Sequence, residues 1–331
     1  MMPKKNVVFI CYNLYKGGSL RLFHSINREL FKNNIIDIFS PVYPIKFFNN
    51  LWRVFLDQFI VPVLFFNCSK LVMFGNVPSI FFFGIQTVLI HNPNYWRLDW
   101  RYLSLRNRFE YYYFLLCNKF AEKFLHVRYV TQIDSVKADF LTLFPNAVVD
   151  TIGSPFNVDE FQVLINSASN FLLDAKFKNL GDYLYYPAYF YESKNHKLLD
   201  SAASLIKSKY NINIVCSNKG NCSNLIGFSN ISFLENLCLL INCKGLIFPS
   251  EYETFGYPLI EAWYLKKPII ALNRGYVNSL LDNVYFHEND VESLINSIKL
   301  FSNDLQNGSL KIPKLKINIE PKEFIDKLLS F

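Results

Sequence analysis

The sequence predicts an α/β protein of two successive parallel-sheet domains. Three observations lead there. Short apolar runs bounded by Gly, Pro and Asn alternate with stretches of helical period, the pattern of strand–turn–helix units. That order repeats on both sides of Gly153-Ser-Pro-Phe156, which reads as the crossing between domains. The chain has 331 residues, 51% of them apolar, enough to bury two cores of ordinary size. The domains are therefore expected at 1–154 and 155–310, with 311–331 as a C-terminal helix that can pack back on the first domain.

In chain order, Asn6–Tyr12 reads as a buried strand. Gly17-Gly18 is its turn, and Ser19 can cap a helix to about Asn33. Ile35–Phe39 is a second strand, and 41–69 is mixed. Leu71–Ile90 is the one stretch long and apolar enough to suggest a membrane span. Asn76, Pro78, Ser79 and Gln86 interrupt it, so two buried strands, Leu71–Phe74 and Thr87–Ile90, explain it better. Arg101 to about Lys123 is a long amphipathic helix, and Tyr129–Thr131 and Ala147–Ile152 are short strands. In the second half Tyr183–Pro187 is a strand. Asn195–Lys209 is a helix with Leu198, Leu199, Ala202, Ala203, Leu205 and Ile206 on its apolar face. Ile212–Cys216, Ile231–Leu234, Gly245–Phe248 and Pro268–Leu272 read as strands, and Leu259–Leu265, Asp290–Phe301 and Glu320–Phe331 as helices.

Charge is unevenly divided. Residues 1–155 hold 17 Lys/Arg against 9 Asp/Glu, and the remainder holds 17 against 18, so the net charge of +7 originates in the first half. Such asymmetry suits an anionic partner: a membrane surface, a lipid-phosphate carrier or a nucleic acid. A scattered, solvated surface would give the same count. The densest basic stretch, Arg97 to Arg108, interleaves cations with Trp100 and Tyr102, as interfacial helices do, and no nucleic-acid-binding motif accompanies it. The seven cysteines form no C-x-x-C pair and several sit in apolar runs, which fits a reducing, cytoplasmic setting without a zinc site. The apolar core after Lys4-Lys5 is too short for a signal peptide.

The segment with most chemistry is Phe248-Pro-Ser-Glu-Tyr-Glu-Thr-Phe-Gly-Tyr-Pro-Leu-Ile-Glu261. A strand leads in and a helix leads out, so the loop lies at a strand's carboxyl end, where such sheets bind ligands. Pro258 suits the first turn of the helix, and the N–H groups of Phe255, Gly256 and Tyr257 are left to face an anion. Two carboxylates around a turn would equally suit a capped helix with solvated glutamates. Three other places can carry chemistry. Lys16-Gly-Gly-Ser-Leu-Arg21 lets backbone N–H groups approach a phosphate, His91 ends a strand, and Lys194 precedes a helix, where a cation is unfavourable unless an anion sits nearby. No D-x-D, Walker A, G-x-G-x-x-G or G-x-S-x-G pattern occurs.

Glu253 and Glu261, in the frame E-x-F-G-x-x-x-x-E within this run, resemble the signature of retaining glycosyltransferases of family 4, which have the GT-B fold of two Rossmann-like domains facing across a cleft. Leu259-Ile-Glu-Ala-Trp263 with Lys267-Pro-Ile-Ile-Ala271, and Gly17-Gly18 with Arg21, are similar to further family elements. The resemblance implies metal-independent transfer of a hexosyl residue from a nucleoside-diphosphate sugar, which is a substrate; no cofactor is implied. His91, Lys194 and Glu253 would be catalytic. Gly17, Gly18, Lys194, Glu253, Thr254, Phe255, Gly256, Tyr257 and Glu261 would hold the donor, Glu261 at the ribose. The acceptor would be an oligosaccharide, lipid-linked on a polyprenyl diphosphate, of a bacterial surface polysaccharide. The enzyme would be cytoplasmic and peripheral on the inner face of the plasma membrane. The family's loop carries an Arg where this chain has Tyr189, which leaves Lys194 as the phosphate cation at these positions. A non-catalytic GT-B partner subunit, or a nucleotide-sugar epimerase or hydrolase of the same fold, are the alternatives.

Overall fold

The computed structural model describes residues 7–11, 22, 25–26, 30, 36–39, 54–91, 105–169, 177, 179–228, 230–317 and 320–330. The chain divides into two compact units, Met1–Asn157 together with Asn318–Phe331, and Val158–Ile317. Among the described residues each unit is built on a six-stranded sheet, and every strand pairing within both is parallel.

The first unit holds β1 (Val7–Cys11), β2 (Ile36–Phe39), β3 (Lys70–Phe74), β4 (Ile85–Ile90), β5 (Val127–Thr131) and β6 (Val148–Thr151), in the order β2-β1-β3-β4-β5-β6. β3 and β5 are buried along their whole length, as expected of strands covered on both faces. Leu71–Ile90 is thus two strands of a parallel sheet. Leu22, Ile26 and Leu30, spaced at helical period, are buried on the expected first helix. A π-type turn, Leu56–Ile60, runs into the short α1 (Val61–Leu64). α2 (Leu105–Phe124) and α3 (Asp134–Leu143) cover β5 with an aromatic cluster. In it Phe140 stacks within 4.8 Å of Tyr129 and 4.7 Å of Phe144, and Phe114 meets both phenylalanines edge-on. Part of the high aromatic content is therefore core.

The last helix of the chain, α10 (Pro321–Leu329; the intervening helices follow below), belongs to this first unit. It buries Phe324, Ile325 and Leu328, and its C-terminal carbonyls meet two cations from the sheet. Lys70 Nζ donates to Leu328 O at 2.7 Å, and Arg128 donates to Lys327 O at 2.8 Å while pairing with Asp150 at 2.6 Å. Cations at a helix C-terminus oppose its dipole favourably. Lys70 is almost fully enclosed, and burial, helped by the neighbouring Arg128, pushes its ammonium down to about 8. An unfolded lysine keeps its proton to about 10.4. Between those values the unfolded chain binds more protons, so stability on this account rises with pH. We expect a gain on the order of 1–3 kcal/mol from pH 8 to pH 10. Urea denaturation across that range should show it, and Lys70→Met should flatten it; an unchanged slope in the variant would remove Lys70 as the cause.

The second unit opens with α4 (Val158–Ala168) and contains β7 (Tyr183–Tyr186), α5 (His196–Tyr210), β8 (Asn213–Cys216), β9 (Ile226–Gly227), α6 (Phe233–Asn242), β10 (Gly245–Phe248), α7 (Tyr257–Tyr264), β11 (Ile269–Leu272), α8 (Gly275–Leu280), β12 (Leu281–Asp282), β13 (Tyr285–His287), α9 (Val291–Asn307) and β14 (Lys314–Leu315). β12 and β14 form a small antiparallel pair. Two expectations are corrected. Ile231–Leu234 is not a strand but the start of α6: Ser232 Oγ accepts from Glu235 N, and the Glu235 carboxylate accepts from Ser232 N. This capping box, stabilising by about 1 kcal/mol, outweighs the β character of Ile231 and Phe233. The third strand is the shorter β9. On α5, Leu198, Leu199, Ala202, Ala203 and Ile206 are buried, but Leu205 is exposed because its angular position falls outside that stripe.

Candidate active site

The strand order of the second sheet is β13-β11-β10-β7-β8-β9. From β7 the chain winds outward through β8 and β9, then returns to the other side of β7 with β10 and winds the opposite way. The reversal falls between β7 and β10, which pair through Gly245–Leu184 and Leu246–Tyr185. A crevice opens outside the carboxyl ends of strands at such a switch point, and ligands bind there. The loops leaving β7 and β10 carry Lys194 and Glu253.

These two side chains meet. Lys194 Nζ donates to Glu253 Oε1 in an ion pair of which both members are only partly accessible. The backbones beneath them are tied together. Glu251 N donates to Ser193 O at 2.9 Å, and Ser250 Oγ reaches the same carbonyl at 3.4 Å. Lys194 ends a 3₁₀ turn, Glu192–Lys194, and Asn195, with φ +54°, passes the chain into α5. Beneath the turn, Tyr186 Oη donates to Lys194 O at 2.8 Å. Burial, with the Glu253 carboxylate nearby, raises that phenol well above its ordinary value, so it stays neutral and keeps donating. Tyr276 Oη donates to Ser250 O at 2.6 Å from α8. At the rim, Asn195 Nδ2 donates to Asn289 Oδ1 at 2.6 Å, and Asn289 Nδ2 to Glu251 Oε1 at 3.1 Å.

Thr254 and Phe255 continue the β10 loop, and Phe255 is buried edge-on to Tyr257. Gly256 is the N-cap of α7 with φ +84°, a left-handed conformation that favours glycine. A Cβ there would stand 3.0 Å from Leu259 Cδ1. Pro258 lies in the first turn of α7, and Glu261, one turn on, is buried. Its carbonyl accepts from Leu265 N at 3.0 Å.

The second unit therefore brings together Lys194, Glu253 and the start of α7. His91 lies in the first unit, directly after β4, where its backbone N–H donates to Asn76 Oδ1 at 2.7 Å. Gly17 and Gly18 lie outside the described residues, as does 97–104 of the basic stretch. Tyr189, at the position of the expected Arg, is 62% exposed and lies beside the exposed Tyr191. Sequence reasoning missed Tyr186, Tyr276 and Asn289, which position the two loops. The only local signal was a tyrosine closing a buried strand.

Arrangements of this kind have relatives. Residues 174–307 match the family model described as glycosyl transferases group 1. No curated protein matches the sequence. Among solved structures, WaaG, a glycosyltransferase involved in lipopolysaccharide biosynthesis, aligns with a TM-score of 0.66 at 13% identity, over 98% of this chain and 100% of its own. Alr3699/HepE from Anabaena, in complex with UDP and glucose, aligns at 0.62 and 13% identity, over 98% and 94%. A glycosyltransferase from Rickettsia africae aligns at 0.62 and 17% identity, over 99% and 97%. At such identities the likeness speaks for architecture, and that architecture is GT-B.

Proposed function

We propose that this chain, a glycosyltransferase of GT-B fold with a glycosyl transferases group 1 domain at residues 174–307, moves a hexosyl residue, with retention, from a nucleoside-diphosphate sugar to a hydroxyl of a lipid-linked oligosaccharide. The product would enter a bacterial surface polysaccharide such as O-antigen, lipopolysaccharide or capsule. The observation that carries the reading is the meeting of Lys194 and Glu253 at the switch point between β7 and β10. That crevice suits a nucleotide, and the pair offers a cation for a diphosphate and a carboxylate for sugar hydroxyls.

In this reading Lys194 and the N–H groups of Phe255, Gly256 and Tyr257 receive the diphosphate, Glu253 the donor sugar, and Glu261 the ribose. His91 orients donor sugar or acceptor, and Gly17 and Gly18 face the diphosphate or acceptor. The bond from the anomeric carbon to the phosphate oxygen breaks as the bond to the acceptor oxygen forms on the same face. The acceptor proton passes to the departing phosphate, so no protein nucleophile is needed. Charge building on the leaving group is met by Lys194 and backbone dipoles, an electrostatic contribution. Holding both substrates in the reactive geometry supplies the rest. No cofactor enters, and the donor is consumed as substrate. We place the protein in the cytoplasm, peripheral on the inner face of the plasma membrane.

A thermal-shift screen of UDP-, GDP-, dTDP- and CMP-sugars tests the reading. A donor present at about 100 times its Kd stabilises the folded chain by about 2.7 kcal/mol, which raises Tm by several degrees. One nucleotide class should do so, and Glu261→Ala should abolish the shift. If no nucleotide-sugar moves Tm, the donor site is not there. Tyr189 favours one rival, a non-catalytic partner subunit; such a chain would show no transfer to any acceptor while still binding an active transferase.

A further inference from the structure

In the first unit, residues 54–91 contain only two members of the Asp, Glu, Lys and Arg set, Asp57 and Lys70, and both are buried. The outward surface of this segment is therefore free of these charges. It is also densely apolar. Phe55, Phe59 and Val63 stand at four-residue spacing from the cap of the π-turn into α1, followed by Leu64 and Phe66; the β3–β4 connection adds Phe81 and Phe83, and the start of β4 adds Ile85. All are exposed, Val63, Phe66 and Phe83 by 70% or more. A monomeric soluble surface rarely carries so much contiguous apolar area without a use.

The two pieces form one surface. Phe59 packs against Phe55 at 5.7 Å and Phe81 at 5.2 Å between ring centroids. The side chains of Gln58, Ser79 and Gln86 are spent inward, fixing that geometry, while Asn67 and Ser69 stay exposed after Phe66. Gln58 bridges Ile80 N, Pro78 O and Tyr113 Oη of α2, and Ser79 Oγ donates to Asp57 O. Gln86 ties the loop from below through Ser79 and Phe82. The neighbouring α2 exposes Tyr112, Leu116, Phe120 and Phe124, with Lys119 and Lys123 also exposed and the Lys123 ammonium 5.1 Å over the Phe124 ring.

We infer that this surface inserts into an anionic phospholipid bilayer, with Phe55, Phe59, Phe66, Phe81 and Phe83 in the acyl boundary and Lys119 and Lys123 at the headgroups. The inference rests on the lipid-linked acceptor proposed above and gives it a place. A protein partner would meet hydrogen-bonding groups at roughly one per 100–200 Å², and here the side chains of Gln58, Ser79 and Gln86 are turned inward, which leaves Asn67 and Ser69 as the exposed polar side chains of the segment. An acyl boundary asks for none. The charge balance of residues 1–155 has the sign that anionic headgroups attract. No helix among the described residues is long and apolar enough to cross a membrane, so this contact is interfacial.

Insertion predicts salt resistance, whereas attraction through cations alone does not. The full chain is floated with vesicles of phosphatidylglycerol and phosphatidylcholine in equal parts, at physiological salt and at about 1 M NaCl, where charges are screened beyond about 3 Å. Partitioning should fall less than about tenfold at high salt, since buried apolar area holds the chain. The combined variant F59S/F66S/F81S/F83S should lose about 100-fold at both salts, as four inserted side chains are removed. Lys119→Ala with Lys123→Ala should matter only at low salt. The fluorescence of a Phe83→Trp variant, in an otherwise unaltered chain, should be quenched by brominated acyl chains beyond the quenching of the unmodified chain, which reports insertion even if the serine variant folds poorly. Complete release at 1 M NaCl, or no added quenching in the Phe83→Trp variant, overturns the inference. So does sedimentation showing a dimer that the serine variant dissolves, without vesicle binding. Nucleotide-sugar thermal shifts on the same variants should be unchanged, so a failure here is separable from a failure of the donor site.

Discussion

Lys194→Ala should lower the transfer rate by about 10²–10³-fold, the loss seen when one preorganised group facing developing charge is removed. Under the proposed function Lys194 is the cation that would meet the diphosphate; in the structure it pairs with Glu253, and Tyr189 occupies the position from which a second cation would come. The substitution also strands Glu253, leaving a partly enclosed carboxylate where the diphosphate must sit. Donor affinity should therefore fall together with rate. Lys194→Arg should restore part of both, because it returns the charge in a different shape. The pair is not deeply buried, so folding should be little affected: Tm, followed by circular dichroism, should move by only a few degrees, in keeping with roughly 0–1 kcal/mol for accessible ion pairs. Single-turnover kinetics measure the effect. A rate within about threefold of the unmodified chain, with normal Tm, would remove Lys194 from catalysis.

That this lysine could be found in the sequence at all follows from how strand-to-helix loops are written. Gly245–Phe248, the glycine-and-proline turn and the helix after it are local signals, and they place Glu253, Gly256 and Glu261 within a residue or two. Lys194 was legible because a cation at a helix start is costly without an anion. The support beneath these residues was not. Tyr186, Tyr276 and Asn289 act across 8, 26 and 38 residues of sequence, and only the sheet order makes them neighbours of the site. Ile231–Leu234 departs from expectation for a different reason. Four residues of mixed character fit a strand, and the reciprocal Ser232–Glu235 bonds are what decide for helix. The apolar surface of 54–85 shows a third limit. An apolar run predicts burial, and which of its side chains are left outside depends on the π-turn and on Gln58 and Gln86 drawing the backbone inward. Periodicity could place the strands; it could not show that Phe66 and Phe83 face outward.

Glu253→Gln should separate two properties that Lys194→Ala lowers together. Glu253 holds Lys194 in the structure; under the proposed function a bound diphosphate would take Lys194 over and free the carboxylate for sugar hydroxyls. A nucleoside diphosphate lacking the sugar competes with Glu253 and gives it nothing in return. Glutamine at 253 keeps the shape and removes that competition, worth up to about 1 kcal/mol for a pair of this accessibility. Binding of the nucleoside diphosphate should then tighten, by about fivefold at most. Transfer should move the other way. A charged hydrogen bond to the sugar is worth about 1.5–3 kcal/mol, so kcat/KM should fall by roughly 10–150-fold. Titration calorimetry with the nucleoside diphosphate and steady-state kinetics with the full donor would register both. The double variant Lys194→Ala/Glu253→Gln closes the cycle: with no cation left to release, glutamine should no longer tighten diphosphate binding beyond the relief of a stranded charge. If Glu253→Gln instead weakens diphosphate binding and transfer in parallel, Glu253 serves to position Lys194 and does not meet the sugar. The donor sugar would then be held by other residues.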